Sequence, residues 1–89
     1  MITDGDKAII VGLAERYGVK KILLFGSGAL PQAEAQDIDL AVEGVSPGEF
    51  FRFYAELLLG LSKPVDLIDL SCESAFASLV RRDGVVVYG

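Results

Sequence analysis

The sequence predicts an α/β or α+β fold in which helices pack on a mixed β-sheet. Short apolar runs of strand length alternate with longer segments of helical periodicity along the 89 residues. Hydrophobic residues make up 52% of the chain, which is enough for a compact core. Because the chain is short, we expect residues 1–89 to form one small domain. The predicted order is a helix over 4–17, strands over 20–25 and 37–43, a helix over 48–61, a strand over 65–70, a helix from 69 or 71 to 82 and a strand over 85–88.

The first helix and the first strand have recognisable boundaries. Thr3 or Asp4 can cap the helix at its start, and Gly18 stands at its C-terminal end. The strand over 20–25 begins with two lysines, is apolar from Ile22 to Phe25 and ends at a Gly-Ser turn. The following loop, residues 26–36, contains Pro31, which excludes a long helix, so we expect one short helical turn starting at Ser27.

The second strand begins with paired acids. Alternate side chains of a strand share a face, so Asp37 and Asp39 project together while Ile38 and Leu40 point into the opposite layer. Two carboxylates on one face repel each other unless a cation lies between them, and such oxygen ligands suit magnesium. The alternative is a half-buried edge strand whose acids face water, preceded by a plain turn.

The helix over 48–61, with Pro47 near its first turn, is apolar around most of its circumference. Its charges, Glu49, Arg52 and Glu56, lie on one narrow stripe because they are three and four residues apart. One interpretation is that both faces are buried between the sheet and the first helix. The other is that part of the helix is exposed and covered by a second subunit, giving a homo-oligomer, or by a partner protein. The apolar residues concerned are Phe50, Phe51, Phe53, Tyr54, Leu57 and Leu58.

The strand over 65–70 carries two further acids on opposite faces. Asp66 lies on the side of Ile68 and Asp69 on the other, so only one of them can join the Asp37 and Asp39 pair. Asp69 or Ser71 is expected to start the next helix, with Cys72 near its beginning. That helix has Phe76, Leu79 and Val80 on its apolar side, Arg81 and Arg82 in its last turn, and Gly84 after it.

Composition excludes several classes of function. A net charge of -5 argues against broad nucleic-acid binding, which needs clustered Lys and Arg. The chain has no His, which excludes Ser-His-Asp hydrolysis and His-ligated zinc sites. Cys72 is the single cysteine and cannot form an internal disulfide. No segment of transmembrane length or secretory leader is recognisable, so we expect a cytoplasmic protein without membrane contacts.

Two motif regions together resemble the minimal nucleotidyltransferases (MNT) of the DNA polymerase beta superfamily. They are Gly26-Ser27 followed by Asp37-x-Asp39, and the third acid in Val65-Asp66-Leu67-Ile68-Asp69. The similarity is greatest to MNT proteins that are paired with HEPN partners in prokaryotic toxin–antitoxin modules. It implies the polymerase-beta nucleotidyltransferase fold, with Asp66 rather than Asp69 as the third acid.

The resemblance also implies an activity and its residues. Asp37, Asp39 and Asp66 would be the catalytic acids and bind two Mg²⁺ ions, while Gly26, Ser27 and Gly28 would hold the triphosphate of ATP. The reaction would be Mg-dependent transfer of AMP from ATP to a hydroxyl, expected to be a tyrosine of a HEPN-type toxin, and the protein would act as an antitoxin. Small-molecule nucleotidyl transfer is less favoured, because nothing beyond the core remains to build an acceptor pocket.

The loop departs from the pattern of that family. Leu30 stands where the family has Arg, Pro31 stands where it has Gly, and Gln36 stands where a Ser often precedes the acids. A cation near the phosphates is therefore missing. This difference favours an alternative function, in which a catalytically weak or inactive antitoxin neutralises its partner by binding alone.

Overall fold

A computed structural model describes residues 2–26 and 37–89 of the chain. It confirms the predicted fold class and the order of helices and strands. None of the helices in these two ranges is long and apolar enough to cross a membrane. The predicted helical turn at Ser27 lies outside the described residues. The elements are α1 (Asp4–Tyr17), β1 (Lys21–Phe25), β2 (Ile38–Glu43), α2 (Phe50–Gly60), β3 (Val65–Asp69), α3 (Ala75–Asp83) and β4 (Val85–Tyr88).

The four strands form one mixed sheet in the order β3-β2-β1-β4. β1 runs antiparallel to β2 and to β4, whereas β2 and β3 are parallel. Phe25 at the end of β1 pairs with Asp39 near the start of β2, and Asp39 pairs in turn with Asp66 near the start of β3. The register therefore brings three strand ends together at one end of the sheet.

Helices cover both faces of the sheet. The larger core lies under α1 and α2 and includes Ile10, Ile22, Leu40, Phe53 and Leu57. A smaller core lies under α3 and consists of Leu23, Ala41, Leu70, Ala77 and Val80. Because side chains alternate along a strand, Asp39 lies on the same face as Ala41, and Asp66 on the same face as Ile68, which packs against the smaller core. The acids therefore belong to the α3 side of the sheet.

The ends of α1 agree with the sequence prediction. Thr3 is the N-cap, and its hydroxyl accepts a hydrogen bond from the backbone N–H of Asp6 at 3.1 Å. Gly18 ends the helix in the left-handed conformation, with φ at 65°. The buried carboxylate of Asp6 accepts from both the backbone N–H and the hydroxyl of Ser62, at 3.1 and 2.6 Å. This contact joins the start of α1 to the turn that follows α2.

The predicted start of α3 at Asp69 or Ser71 is wrong. Asp69 uses its carboxylate to accept a hydrogen bond from the N–H of Ser71 at 2.9 Å, which closes a turn. Ser74 is the N-cap instead, and its hydroxyl accepts from the N–H of Ala77 at 3.0 Å. Cys72 is consequently exposed ahead of the helix rather than at its start. The other end agrees with prediction, because Arg81 and Arg82 lie in the last turn and Gly84 follows.

α2 is covered on one side only. It begins at Phe50 rather than at residue 48, because Glu49 donates its N–H to the carbonyl of Ser46 at 3.0 Å and the chain makes a turn there. Phe53 and Leu57 are fully buried, and Phe50 and Tyr54 are half-buried. The remaining apolar side chains stay exposed, at 78% for Phe51, 49% for Leu58 and 88% for Leu59. The interpretation that both faces of this helix are buried within the domain is therefore wrong.

Candidate active site

Asp39 and Asp66 are paired across β2 and β3, and their carboxyl groups are close enough to share a proton when one of them is neutral. Asp39 is half-buried and Asp66 is exposed. Asp37 precedes β2, is exposed, and is close enough for its charge to act on Asp39. Asp69, the other candidate acid, projects from the opposite face of β3 and bonds to Ser71. The acid that meets Asp39 is thus Asp66.

The surroundings of Asp39 disfavour its charged form. Burial raises the pKa of the Asp39 carboxyl, and the negative charges of Asp66 and Asp37 raise it further, as does the hydrogen bond with Asp66. The negative charges of these three acids at one end of the sheet thus repel one another. A bound cation would relieve this repulsion, since an opposite charge favours the ionised carboxylate.

The acids fit magnesium by their chemistry. Carboxylate oxygens are the ligands that Mg²⁺ takes, and it is usually held by one or two carboxylates together with substrate phosphates. Asp39 and Asp66 supply such a pair, and Asp37 supplies a third carboxylate beside it. As placed in residues 2–26 and 37–89, no three acidic, thiol or imidazole side chains are close enough together to hold an ion by themselves. The predicted set of three ligands for two ions therefore stays a prediction.

Gly26 marks where the chain leaves β1 and passes the acids. Its φ is 71°, and a Cβ built on it would overlap Oδ2 of Asp39. Only glycine combines this backbone conformation with such a close approach. Ser27 and Gly28, the other predicted phosphate ligands, lie outside the described residues, as do Leu30, Pro31 and Gln36.

An apolar pocket of about 350 Å³ lies beside Gly26, between the end of β1 and α3. Its apolar side chains are those of Phe25, Phe76, Leu79 and Val80, and the rings of Phe25 and Phe76 meet edge to face with centroids 5.8 Å apart. Sequence reasoning missed this pocket. The available signal was Phe25 immediately before Gly26, together with Phe76 on the helix that covers the same face. A pocket of this size and character can accept a flat apolar ring.

The fold is that of the polymerase-beta nucleotidyltransferases. The family model described as polymerase beta, nucleotidyltransferase matches residues 7–89, so the chain belongs to that family. No curated protein matches the sequence.

Several solved structures with this fold are chains of toxin–antitoxin complexes. A chain in the crystal structure of a toxin–antitoxin with AMP-PNP is 26% identical, with a TM-score of 0.75 over 93% of this chain and 73% of that chain. A second comes from a tri-AMPylated Shewanella oneidensis HEPN toxin in complex with MNT antitoxin, at 26% identity and a TM-score of 0.71 over 94% of this chain and 70% of that one. The toxin–antitoxin MntA-HepT, at 24% identity and a TM-score of 0.70 over 94% and 70%, shows the shared fold alone. The resemblance to MNT proteins noted in the sequence is thereby confirmed.

Proposed function

We propose that this protein is an MNT antitoxin that transfers AMP from ATP to a hydroxyl of a HEPN-type toxin in the presence of Mg²⁺. The observation that carries the proposal is the contact between Asp39 and Asp66 next to the close backbone approach at Gly26. Membership of the nucleotidyltransferase family supports the reaction class. The similar complexes with AMP-PNP and with an AMPylated HEPN toxin support ATP as donor and a toxin as acceptor.

Each site residue has a proposed role. Asp37, Asp39 and Asp66 would hold two Mg²⁺ ions, which when bound would offset the charge on the entering and leaving oxygens. The backbone at Gly26, Ser27 and Gly28 would approach the triphosphate closely and donate N–H groups to it. Asp66, the more exposed acid of the contacting pair, would orient the acceptor hydroxyl. The acceptor oxygen would then bond to the α-phosphorus, lose its proton and displace pyrophosphate.

The apolar pocket gives the nucleotide a place for its base. It shares Gly26 with the proposed phosphate site, and Phe25 and Phe76 offer aromatic surface to a flat ring. A nucleotide held at Gly26 by its phosphates would therefore place its base against α3. The proposal includes a single domain over residues 1–89 and a cytoplasmic location.

The exposed side of α2 is the proposed surface for the toxin or for a second copy of the chain. Phe51 and Leu58 are seven residues apart and so lie on the same side of the helix, with Leu59 adjacent. Large exposed apolar side chains in one place usually mark an association site. We call Phe51, Leu58 and Leu59 the α2 patch.

A second candidate function is neutralisation by binding alone. The sequence has Leu30 where the family has Arg, so one cation for the phosphates is missing from the loop. In this case the nucleotide site would be weak, and the protein would block its toxin by covering it. The α2 patch would serve this function equally well.

Transfer of label separates the two candidates. The protein, α-labelled ATP, magnesium and a HEPN-type toxin should give labelled toxin and free pyrophosphate. Asp66→Asn should abolish labelling, whereas Asp69→Asn, on the opposite face of the same strand, should retain it. ATP binding and toxin neutralisation without transfer would favour the second candidate, and a gain of transfer in Leu30→Arg would then assign the deficit to the missing charge.

A further inference from the structure

The strand that carries Asp66, β3, is an edge strand of the sheet, and it pairs with β2. The backbone N–H of Ile38 in β2 donates to the carbonyl of Pro64 at 2.8 Å. Because the carbonyls of successive strand residues point to opposite sides, the carbonyl of Val65 points away from β2. Within the sheet formed by residues 2–26 and 37–89, the oxygen of the peptide group immediately before Asp66 thus has no strand partner.

Tyr54 of α2 supplies the missing partner. Its hydroxyl donates to the carbonyl oxygen of Val65 at 2.8 Å, and this is a part-buried bond. The ring of Tyr54 packs against the larger core and meets Phe50 edge to face, with centroids 6.2 Å apart. The donor is therefore held by packing on a helix rather than on a loop.

We propose that Tyr54 is a positioning residue, which fixes the peptide between Val65 and Asp66 so that the Asp66 carboxylate meets Asp39. The orientation of that peptide sets the direction of the Cα–Cβ bond of Asp66. This bond points away from the sheet on the α3 side, whereas Tyr54 packs on the side of α1 and α2. The link to catalysis rests on the proposed function. Small displacements of a metal-binding carboxylate cost affinity and rate, since ligands must be held within a fraction of an ångström.

The competing explanation is that Tyr54 only satisfies an edge carbonyl. Water can bond to an exposed strand edge nearly as well as a hydroxyl, so loss of the tyrosine oxygen would then leave Asp66 in place. The two explanations differ in what happens at Asp66, not in overall stability. A test must therefore measure the local structure at Asp66 itself.

Tyr54→Phe removes the hydroxyl and keeps the ring. The matched control is Tyr17→Phe in α1. Tyr17 is also half-buried, but its hydroxyl donates to Glu56 of α2 rather than to a group of β3. Thermal melting of both variants confirms folding. The rate of amide hydrogen exchange at Asp66 and Leu67 then measures how firmly the first residues of β3 are held. Titration with Mn²⁺ measures the metal affinity of the Asp39 and Asp66 carboxylates and needs neither nucleotide nor toxin.

In Tyr54→Phe, exchange at Asp66 should quicken by about fivefold and Mn²⁺ affinity should fall by a similar factor, as expected for the loss of one hydrogen bond. Tyr17→Phe should change neither. Unchanged exchange at Asp66 in Tyr54→Phe overturns the proposal, and so does faster exchange with unchanged Mn²⁺ affinity. If the natural sequence binds no Mn²⁺, the metal-dependent function fails, and the exchange result alone decides whether Tyr54 holds Asp66.

Discussion

The backbone of Gly26 lies directly against the carboxylate of Asp39, with no room for a Cβ between them. The contact follows from strand pairing, because Phe25, the residue before Gly26, pairs with Asp39 across β1 and β2. The entrance to the predicted phosphate loop and the central acid of the site are thus held at a fixed separation by the sheet itself.

Gly26→Ala should therefore damage both stability and nucleotide binding. The added Cβ would force Asp39 aside, and the alanine would have to adopt a left-handed backbone conformation. This strain should lower the free energy of unfolding by about 1–2 kcal/mol. Gly12→Ala is the control, because Gly12 is exposed within α1 with nothing near its Cβ position, and it should stabilise by about 0.5–1 kcal/mol. Urea unfolding measures both variants. Equal effects of the two substitutions would contradict the close approach at Gly26.

Asp39→Asn should stabilise the metal-free protein at neutral pH. The raised pKa of Asp39 means that the folded state holds this proton more firmly than the unfolded state, so stability falls as the pH rises above the ordinary value of 3.8. The asparagine side chain of the variant carries no charge, so the variant does not lose stability in this way as the pH rises. Thermal melts in EDTA should show a higher Tm for the variant at pH 7 and no difference below pH 3.8. A variant that is less stable at pH 7 would mean that the ionised acid supports the fold.

Glu43 should contribute stability that disappears in acid. Arg81 bonds to the Glu43 carboxylate and also donates to the carbonyl of Leu70 at 2.7 Å, and the hydrogen bond to Arg81 lowers the pKa of Glu43. A lowered pKa means that the contribution is complete above the ordinary value of 4.5 and is lost as the pH falls below it. The pair is partly exposed, so Glu43→Gln should cost only about 0.5 kcal/mol at pH 7. Urea unfolding at several pH values checks this, and a cost that persists in strong acid would contradict it.

The α2 patch should be needed for assembly and not for folding. Replacing Phe51 and Leu58 with Asp should break the proposed toxin complex or homo-oligomer, while the free energy of unfolding changes by only about 0.5 kcal/mol because both side chains are exposed. Phe53→Ala on the buried side is the contrast and should cost about 3–5 kcal/mol. Light scattering and chemical unfolding provide the measurements. Unfolding of the double variant would instead place these residues in the core.

The order of elements could be predicted because each has a local cause. Alternating polarity predicted β2, and Thr3 and Gly18 predicted both ends of α1. The start of α3 could not be predicted with the same rules, because Asp69, Ser71 and Ser74 are all acceptable caps. The choice among them depends on where Leu70 is anchored, and its N–H donates to the carbonyl of Val42 in β2. That contact joins residues far apart in sequence.

The side-by-side placement of Asp39 and Asp66 could be predicted, whereas the groups that hold them in place could not. Alternation places Asp37 and Asp39 on one face, and the family resemblance selected Asp66, which lies beside Asp39 in the structure. Tyr54 could not be recognised as a partner of β3, because its hydroxyl bond depends on the crossing of α2 over the sheet edge. The sequence pattern likewise showed an apolar helix without showing which side the sheet would cover.

The strand β2 has the acids on one side and the larger core on the other. Ile38, Leu40 and Val42 are buried under α1 and α2, while Asp39 faces α3. Insertion or deletion of a single residue within this strand would exchange the two sides, which would drive a carboxylate into the apolar interior and expose the apolar set to water. The chain therefore cannot lose its acidic site by a shift in register and remain folded. Homologues that lack the acids should therefore differ by substitution at those positions and retain the length of β2.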